Sequence, residues 1–159
     1  MKLDAWLRQD RSLEEQLRVI ERLCQAVNEI HDRGDVVGTL APGRIDVDAD
    51  GRCDLAAASR GSPRPPYAPP EGERAGPALA DIYAAGVIAW EILAGQPAGP
   101  APAHLTEVRP DISRELADAV MACVEESPEW RPNDLTYLAQ MAAARQRTPA
   151  RKAAPAARA

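Results

Sequence analysis

Phenylalanine is absent from this chain of 159 residues, and aromatic residues of all kinds make up only 4% of it. An aromatic-rich β-sandwich core is therefore excluded, and Leu, Ile, Val and Ala must fill the interior, a composition that favours helices packed on helices. Lysine is nearly absent too, confined to Lys2 and Lys152 near the two ends. No glycine recurs at G-x-G spacing, so no glycine-rich phosphate loop is written into the chain. Cysteine is scarce: Cys24, Cys53 and Cys123 are odd in number, far apart and without C-x-x-C spacing. They read as buried thiols in a reducing compartment, and a cytoplasmic location is expected. No apolar run nears the roughly eighteen residues of a membrane span, and the N-terminus lacks the charged-then-apolar layout of a signal peptide.

Charge is unevenly spread. The net charge is −5, yet residues 145–159 hold four arginines, one lysine and no acid, which leaves residues 1–144 at −10. An acidic globule lacks the clustered cations that nucleic acid requires, so neither nucleic acid nor membrane is expected as a partner. The Ala/Pro/Arg-rich stretch 145–159 is expected to be a disordered basic tail on a single domain, 1–144.

Apolar periodicity supplies the elements. Ser12-Leu13-Glu14-Glu15 has the form of a capping box. Behind it Leu13, Leu17, Ile20, Leu23, Cys24, Val27 and Ile30 form one stripe, up to Gly34, in a helix of about five turns. Leu3, Trp6 and Leu7 predict a short amphipathic helix ahead of it. The period then changes: Ile45, Val47, Cys53 and Leu55 alternate with polar residues around Asp48-Ala49-Asp50-Gly51, predicting a small β-hairpin. Residues 56–80 read as loop. The run from Asp81 to Leu93 is apolar on nearly every face, which predicts a helix buried all round and stopped by Gly95. Ser113 and Asn133 are expected to cap two further helices.

The order of these pieces resembles the C-terminal lobe of a protein kinase of the bacterial Ser/Thr type, over about residues 3–144. The resemblance is carried by Ala26 to Gly34 with His31, by Val36 to Ile45 in the place of the catalytic loop, and by Tyr67-Ala68-Pro69-Pro70-Glu71 in the A-P-E region. Asp81 to Ile88 is similar to the family's central buried helix, and Glu126 to Pro132 to its closing arginine segment. The implied fold is mainly α, a kinase-like C-terminal lobe with one small hairpin and no N-terminal lobe. The implied catalytic residues are missing. Val37, Gly38 and Thr39 stand at the H-R-D positions, Ala41 at the usual lysine, Arg44 at the metal-binding asparagine, and Ala57, Ala58 and Ser59 at the D-F-G motif. A base, two metal ligands, the strand lysine and the phosphate-covering loop are all absent, so no catalytic or metal-binding residue and no cofactor is expected. The resemblance implies structural roles for Glu71 paired with Arg131, and for Asp81 accepting backbone hydrogen bonds near Gly38. Arg109, in a loop, is expected to matter little to stability.

Other candidate sites reduce to structure. His31 is assigned to packing and His104 to solvent, and the two make no metal site. Asp46, Asp48 and Asp50 lack the downstream glutamate of a calcium loop. The implied function is a catalytically inactive pseudokinase lobe serving as a protein-interaction or scaffold module in signalling. The alternatives are half of a kinase completed in trans by another chain, and a non-catalytic nucleotide- or small-ligand-binding domain. Without a second lobe, Leu3, Trp6, Leu7, Val36, Val37 and Ile45 are expected to be partly bare and to form the contact surface for a protein partner or a second copy.

Overall fold

The computed structural model describes residues 1–59 and 63–147. Six helices and one hairpin follow in order: α1 (Leu3–Leu7), α2 (Leu13–Asp32), β1 (Asp46–Val47), β2 (Cys53–Asp54), α3 (Pro77–Ala94), α4 (Leu105–Val108), α5 (Arg114–Cys123) and α6 (Thr136–Arg147). Single 3-10 turns occupy Pro42–Arg44, Ala56–Ser59 and Pro128–Trp130. The two strands pair antiparallel, with Asp46 opposite Asp54 and Val47 opposite Cys53. The helix α6 runs past the expected boundary at 144, and residues 148–159 of the expected tail lie outside the described residues.

The long helix α2 is fixed at both ends by local chemistry. The Ser12 hydroxyl accepts from the Glu15 amide, and the Glu15 carboxylate accepts from the Ser12 amide at 2.9 Å. At the other end the Gly34 amide donates to the His31 carbonyl and the Asp35 amide to Ile30, a Schellman closure. That closure places Gly34 at φ +82°, where a side chain would be strained. Along its length α2 buries Leu17, Val19, Ile20, Leu23, Cys24 and Val27 against α3 and α6.

The helix α3 is the centre of the molecule. Pro77 opens it, Gly95 closes it at φ +68°, and every residue from Asp81 to Leu93 is buried. Contrary to the expectation that no apolar run nears a membrane span, α3 is long and apolar enough to cross one, but most of it is enclosed by the rest of the chain, as in the core of a globular domain. The approach of α5 is unusually close at Gly86. A Cβ built there would stand 2.6 Å from Cys123 Cβ and 2.9 Å from Val124 Cγ1. Ser113 caps α5 by accepting from the Leu116 amide. Asn133 does not cap α6. The Asp134 carboxylate takes the Thr136 amide at 2.8 Å, and Asn28 of α2 reaches across to accept from the Leu135 amide at 2.9 Å. The last helix is thus started by the local Asp134 carboxylate together with a tertiary contact that has no local signature.

The opening segment is not bare. The Leu3 amide donates to the Ile45 carbonyl at 2.8 Å, the Val47 amide to the Met1 carbonyl at 2.7 Å, and the Lys2 ammonium to Asp46 at 2.6 Å. The chain therefore lays its own first residues beside the hairpin, where Lys2 forms an isolated antiparallel bridge with Asp46. Leu3 and Ile45 are wholly buried, Val37 is buried, and Trp6 retains 6% of its surface. The Arg11 guanidinium covers the Trp6 ring at 4.9 Å. The expectation of a bare face at Leu3, Trp6, Val37 and Ile45 is overturned, because these side chains find partners within the chain. Leu7 is half-buried, and Val36, 39% exposed, is the member of that set that faces solvent.

Two substitutions probe this packing. Trp6→Ala should remove about 3–5 kcal/mol of stability by denaturant titration, and an unchanged midpoint would show that Trp6 is a surface residue after all. Gly86→Ala raises helix propensity by about 1 kcal/mol but overpacks the crossing, at a cost of about 1–3 kcal/mol. Net destabilisation is the expected result, and a gain in melting temperature would contradict the close crossing.

Candidate functional site

The segment Val36–Ala41 runs extended beneath the N-terminal end of α3, and Asp81 holds it there. The Asp81 carboxylate accepts from the Val37 amide at 2.7 Å and the Gly38 amide at 2.8 Å, and His31 Nε2 lies 2.8 Å from the same carboxylate. Three partners for a wholly enclosed charge offset the cost of taking it out of water. His31 thus does more than fill space, since it links the end of α2 to the start of α3. Gly38 adopts φ +91°, the conformation that brings its amide onto the carboxylate.

Beyond Gly38 stand the degenerate positions. Thr39 is buried, and its hydroxyl donates to the Ala58 carbonyl while accepting from Arg44 Nη1 at 2.7 Å. Ala58 itself has no exposed surface, in the 3-10 turn Ala56–Ser59. The structure therefore brings Thr39, Arg44 and Ala58 together as one knot that ties the extended segment to the turn after the hairpin. Chemically the knot offers a hydroxyl, a permanent cation and a peptide carbonyl. A threonine hydroxyl is no general base near neutral pH, and a guanidinium repels the divalent metal that phosphoryl transfer needs. Among the described residues, no three His, Cys, Asp or Glu side chains cluster so as to hold a metal ion.

Glu71 and Arg131 lie 60 residues apart in sequence and meet as a bidentate pair at 2.6 and 2.7 Å. Arg131 uses its remaining donors on the carbonyls of Glu125 at 2.8 Å, Glu126 at 3.2 Å and Leu79 at 3.4 Å, and packs over the Tyr83 ring at 4.8 Å. The hydrogen bonds from Arg131 hold the Glu71 carboxyl below its ordinary range. Every donor of the guanidinium is used, as a buried cation requires. The pair staples the loop before α3 to the segment after α5.

Sequence reasoning missed a second buried carboxylate. Glu91, inside the apolar run of α3, accepts from the Tyr67 hydroxyl at 2.9 Å and the Ala98 amide at 2.9 Å. Burial pushes its carboxyl up, and burial together with the Glu91 charge pushes the Tyr67 hydroxyl up. The available signal was a lone acid in a helix otherwise apolar on every side. Glu91, Tyr67 and Pro42 line a groove of about 680 Å³ with Asp4 and the half-buried Leu7. Two further assignments change. His104 is not simply solvated: it caps α4 by accepting from the Thr106 amide, and its Nε2 lies 3.1 Å from Asp118. Arg109 grips Asp111 through two contacts at 2.8 Å and donates to the Leu93 carbonyl at the end of α3, so it is no silent loop residue. The thiols of Cys53 and Cys123 are pushed up to about 12 by burial, which leaves them protonated and unreactive.

No known family and no curated protein matches the sequence. Solved structures do match the fold. The Mycobacterium tuberculosis PknI kinase domain, in a form carrying one cysteine-to-alanine substitution, superposes with a TM-score of 0.73 at 21% identity, covering 92% of this chain and 61% of that one. The same kinase domain without that substitution gives 0.70 at 21% identity, with coverage of 91% and 60%. PpkA-294 in its apo form gives 0.62 at 24% identity, covering 76% of this chain and 51% of that one. The fold is protein-kinase-like and mainly α, and the chain spans about three fifths or less of each of these kinase structures.

Removing one partner of a buried ion pair leaves the other charge uncompensated, at a cost of about 3–5 kcal/mol. Arg131→Ala should therefore lower the melting temperature sharply, whereas Arg114→Ala, whose side chain is 83% exposed, should hardly move it. Equal melting of the two variants would show that the Glu71–Arg131 contact is not structural. The pH dependence follows from the lowered Glu71 value. Its contribution is complete above the unfolded carboxylate pKa of about 4.3 and is lost as pH falls through the lower folded value. Acid titration of Glu71→Gln should show less loss of stability below about pH 4 than the parent chain, and parallel curves would remove Glu71 from the acid response.

Proposed function

We propose that this chain is a catalytically inactive kinase-like C-terminal lobe, a pseudokinase module that works in the cytoplasm by binding a protein partner. The observation that carries this reading is the knot of Thr39, Arg44 and Ala58. The positions that the kinase resemblance assigns to the base, a metal ligand and the metal-binding motif are spent on holding one another. A lobe borrowed from another chain would add a nucleotide cover but would not convert Thr39 into a base or Arg44 into a metal ligand. Completion in trans is therefore the weaker reading.

The contact surface now centres on Val36. It lines a groove of about 620 Å³ together with Ile30, Val37, Leu55 and Ala56, rimmed by the acids Glu29, Asp35 and Asp54 against the single cation Arg33. Val36 is the most exposed of the six residues, and the net negative rim favours a partner that brings cations to an apolar contact.

Radiolabelled phosphate transfer, with magnesium and with manganese, should stay at the level of a no-protein blank, and transfer that co-purifies with the chain sinks the pseudokinase reading. Affinity capture followed by mass spectrometry supplies the partner. Val36→Asp should then weaken that complex at least tenfold, about 1.4 kcal/mol, with an unchanged circular dichroism spectrum. Binding equal to the parent chain moves the contact away from this groove.

A further inference from the structure

Among the described residues the large apolar side chains left exposed are Met1, Val36, Trp130 and Tyr137. Trp130 is the extreme case at 74%, and Tyr137, in the same stretch of chain, keeps 54% of its surface. A single exposed apolar side chain needs no explanation. These two differ in their company. Glu125, Glu126, Glu129 and Asp134 share the stretch with them, and all four are exposed. The cation of the stretch, Arg131, is buried and committed to Glu71. Even with Arg74, whose charge reaches Glu71, the carboxylates of the stretch outnumber the cations.

The backbone that carries these side chains is held from within. Arg131 Nε donates to the Glu125 carbonyl at 2.8 Å and Nη2 to the Glu126 carbonyl at 3.2 Å, so the chain curls round the residue next to Trp130. The Trp130 amide donates to the Ser127 carbonyl and the Arg131 amide to the Pro128 carbonyl, both at 3.1 Å. Pro128 and Pro132 fix φ on either side of the ring-bearing residue. Asp134 and Asn28 take the next two free amides, Thr136 and Leu135, which sets the entry to α6. An aromatic side chain on a backbone already fixed loses little freedom when a partner covers it, which favours its use as an anchor.

The chemistry of the partner follows from the two kinds of group together. A purely apolar partner would strip water from the carboxylates and leave them unanswered. An acidic partner is repelled. A guanidinium answers both, because it stacks on an aromatic face and pairs with carboxylates. We propose that residues 125–137 form a second contact surface, which takes an arginine-bearing extended segment of a partner protein with Trp130 as its anchor. The surface shares no residue with the groove beside Val36 and does not depend on the pseudokinase reading.

The test is nitrogen-15 NMR of the full chain, in which the indole N–H resonances separate exposed Trp130 from buried Trp6 and Trp90. A blocked arginine–glycine–arginine peptide should move the Trp130 resonance along a saturating curve that weakens as salt is raised. The same peptide with glutamate in place of arginine should leave it unmoved. By calorimetry, Trp130→Ala should weaken binding at least tenfold, with an unchanged melting temperature because the ring is outside the core. Glu129→Gln should weaken it about threefold through the lost charge. Should Trp130→Ala fail to fold, Glu129→Lys, on an exposed side chain, should weaken binding more than Glu129→Gln does. An equal response to the acidic peptide, or no saturating response to the basic one, overturns the proposal. Binding that survives Trp130→Ala but is lost in Val36→Asp overturns it too and places the peptide in the other groove. Binding seen only as self-association, and lost when residues 148–159 are removed, overturns the assignment to a partner protein.

Discussion

An apolar helix that also carries two carboxylates can sit in the middle of a small protein only if the rest of the chain answers both. That is the condition α3 imposes. Burial of Ile82, Val87, Ile88, Ile92 and Leu93 drives the other helices onto it. The acids decide which loops come with them. Asp81 takes the Val37 and Gly38 amides and His31, so the extended segment is held at the N-terminal end of the helix. Glu91 takes Tyr67 and Ala98, so the loops before and after α3 fold back over its C-terminal end. Hydrophobic area sets how much is buried, while the unpaired-charge penalty sets where the polar chain must pass.

The same logic explains which polar side chains remain where the kinase resemblance would place catalysis. Thr39 and Arg44 are turned inward, and each satisfies a group that burial would otherwise strand. A catalytic base needs an available lone pair at the surface of a cleft, and a metal site needs clustered anions. A hydroxyl held between a carbonyl and a guanidinium meets neither need. The arrangement ties the extended segment to the turn after the hairpin.

Much of this was legible in the sequence wherever the signal is local. Ser12 and Glu15 mark the start of α2 because a capping box is complete within four residues, and Gly34 marks its end because the Schellman turn needs a left-handed residue. The alternation around Asp48–Gly51 marks the hairpin for the same reason. What failed to show was everything decided across the chain. Asn133 looked like a cap, but Asn28, more than a hundred residues earlier, supplies the acceptor for Leu135. Trp6 looked bare because nothing near it in sequence announces that Met1 and Lys2 will add themselves to the hairpin, or that Arg11 will lie over its ring. Glu91 was hidden by its apolar neighbours, since a hydropathy pattern records how much of a helix is buried and not which acid inside it has found a hydroxyl.

Likeness to kinase structures at 20–24% identity is what this kind of core permits. Aliphatic residues of similar volume exchange in a helical interior at modest cost, so much of the sequence can drift while the packing persists. The contacts that cannot drift singly are the buried charges, because removing one partner strands the other. Fold likeness of this origin reports the interior, and an interior is compatible with many functions. What the chain does must therefore be read from groups that the interior does not require. At the kinase-like positions Thr39 and Ala58 have been drawn into the interior, while Ala57 and Ser59 stay exposed. The groove beside Val36, an apolar floor with Glu29, Asp35 and Asp54 against Arg33 on its rim, is a surface of that kind.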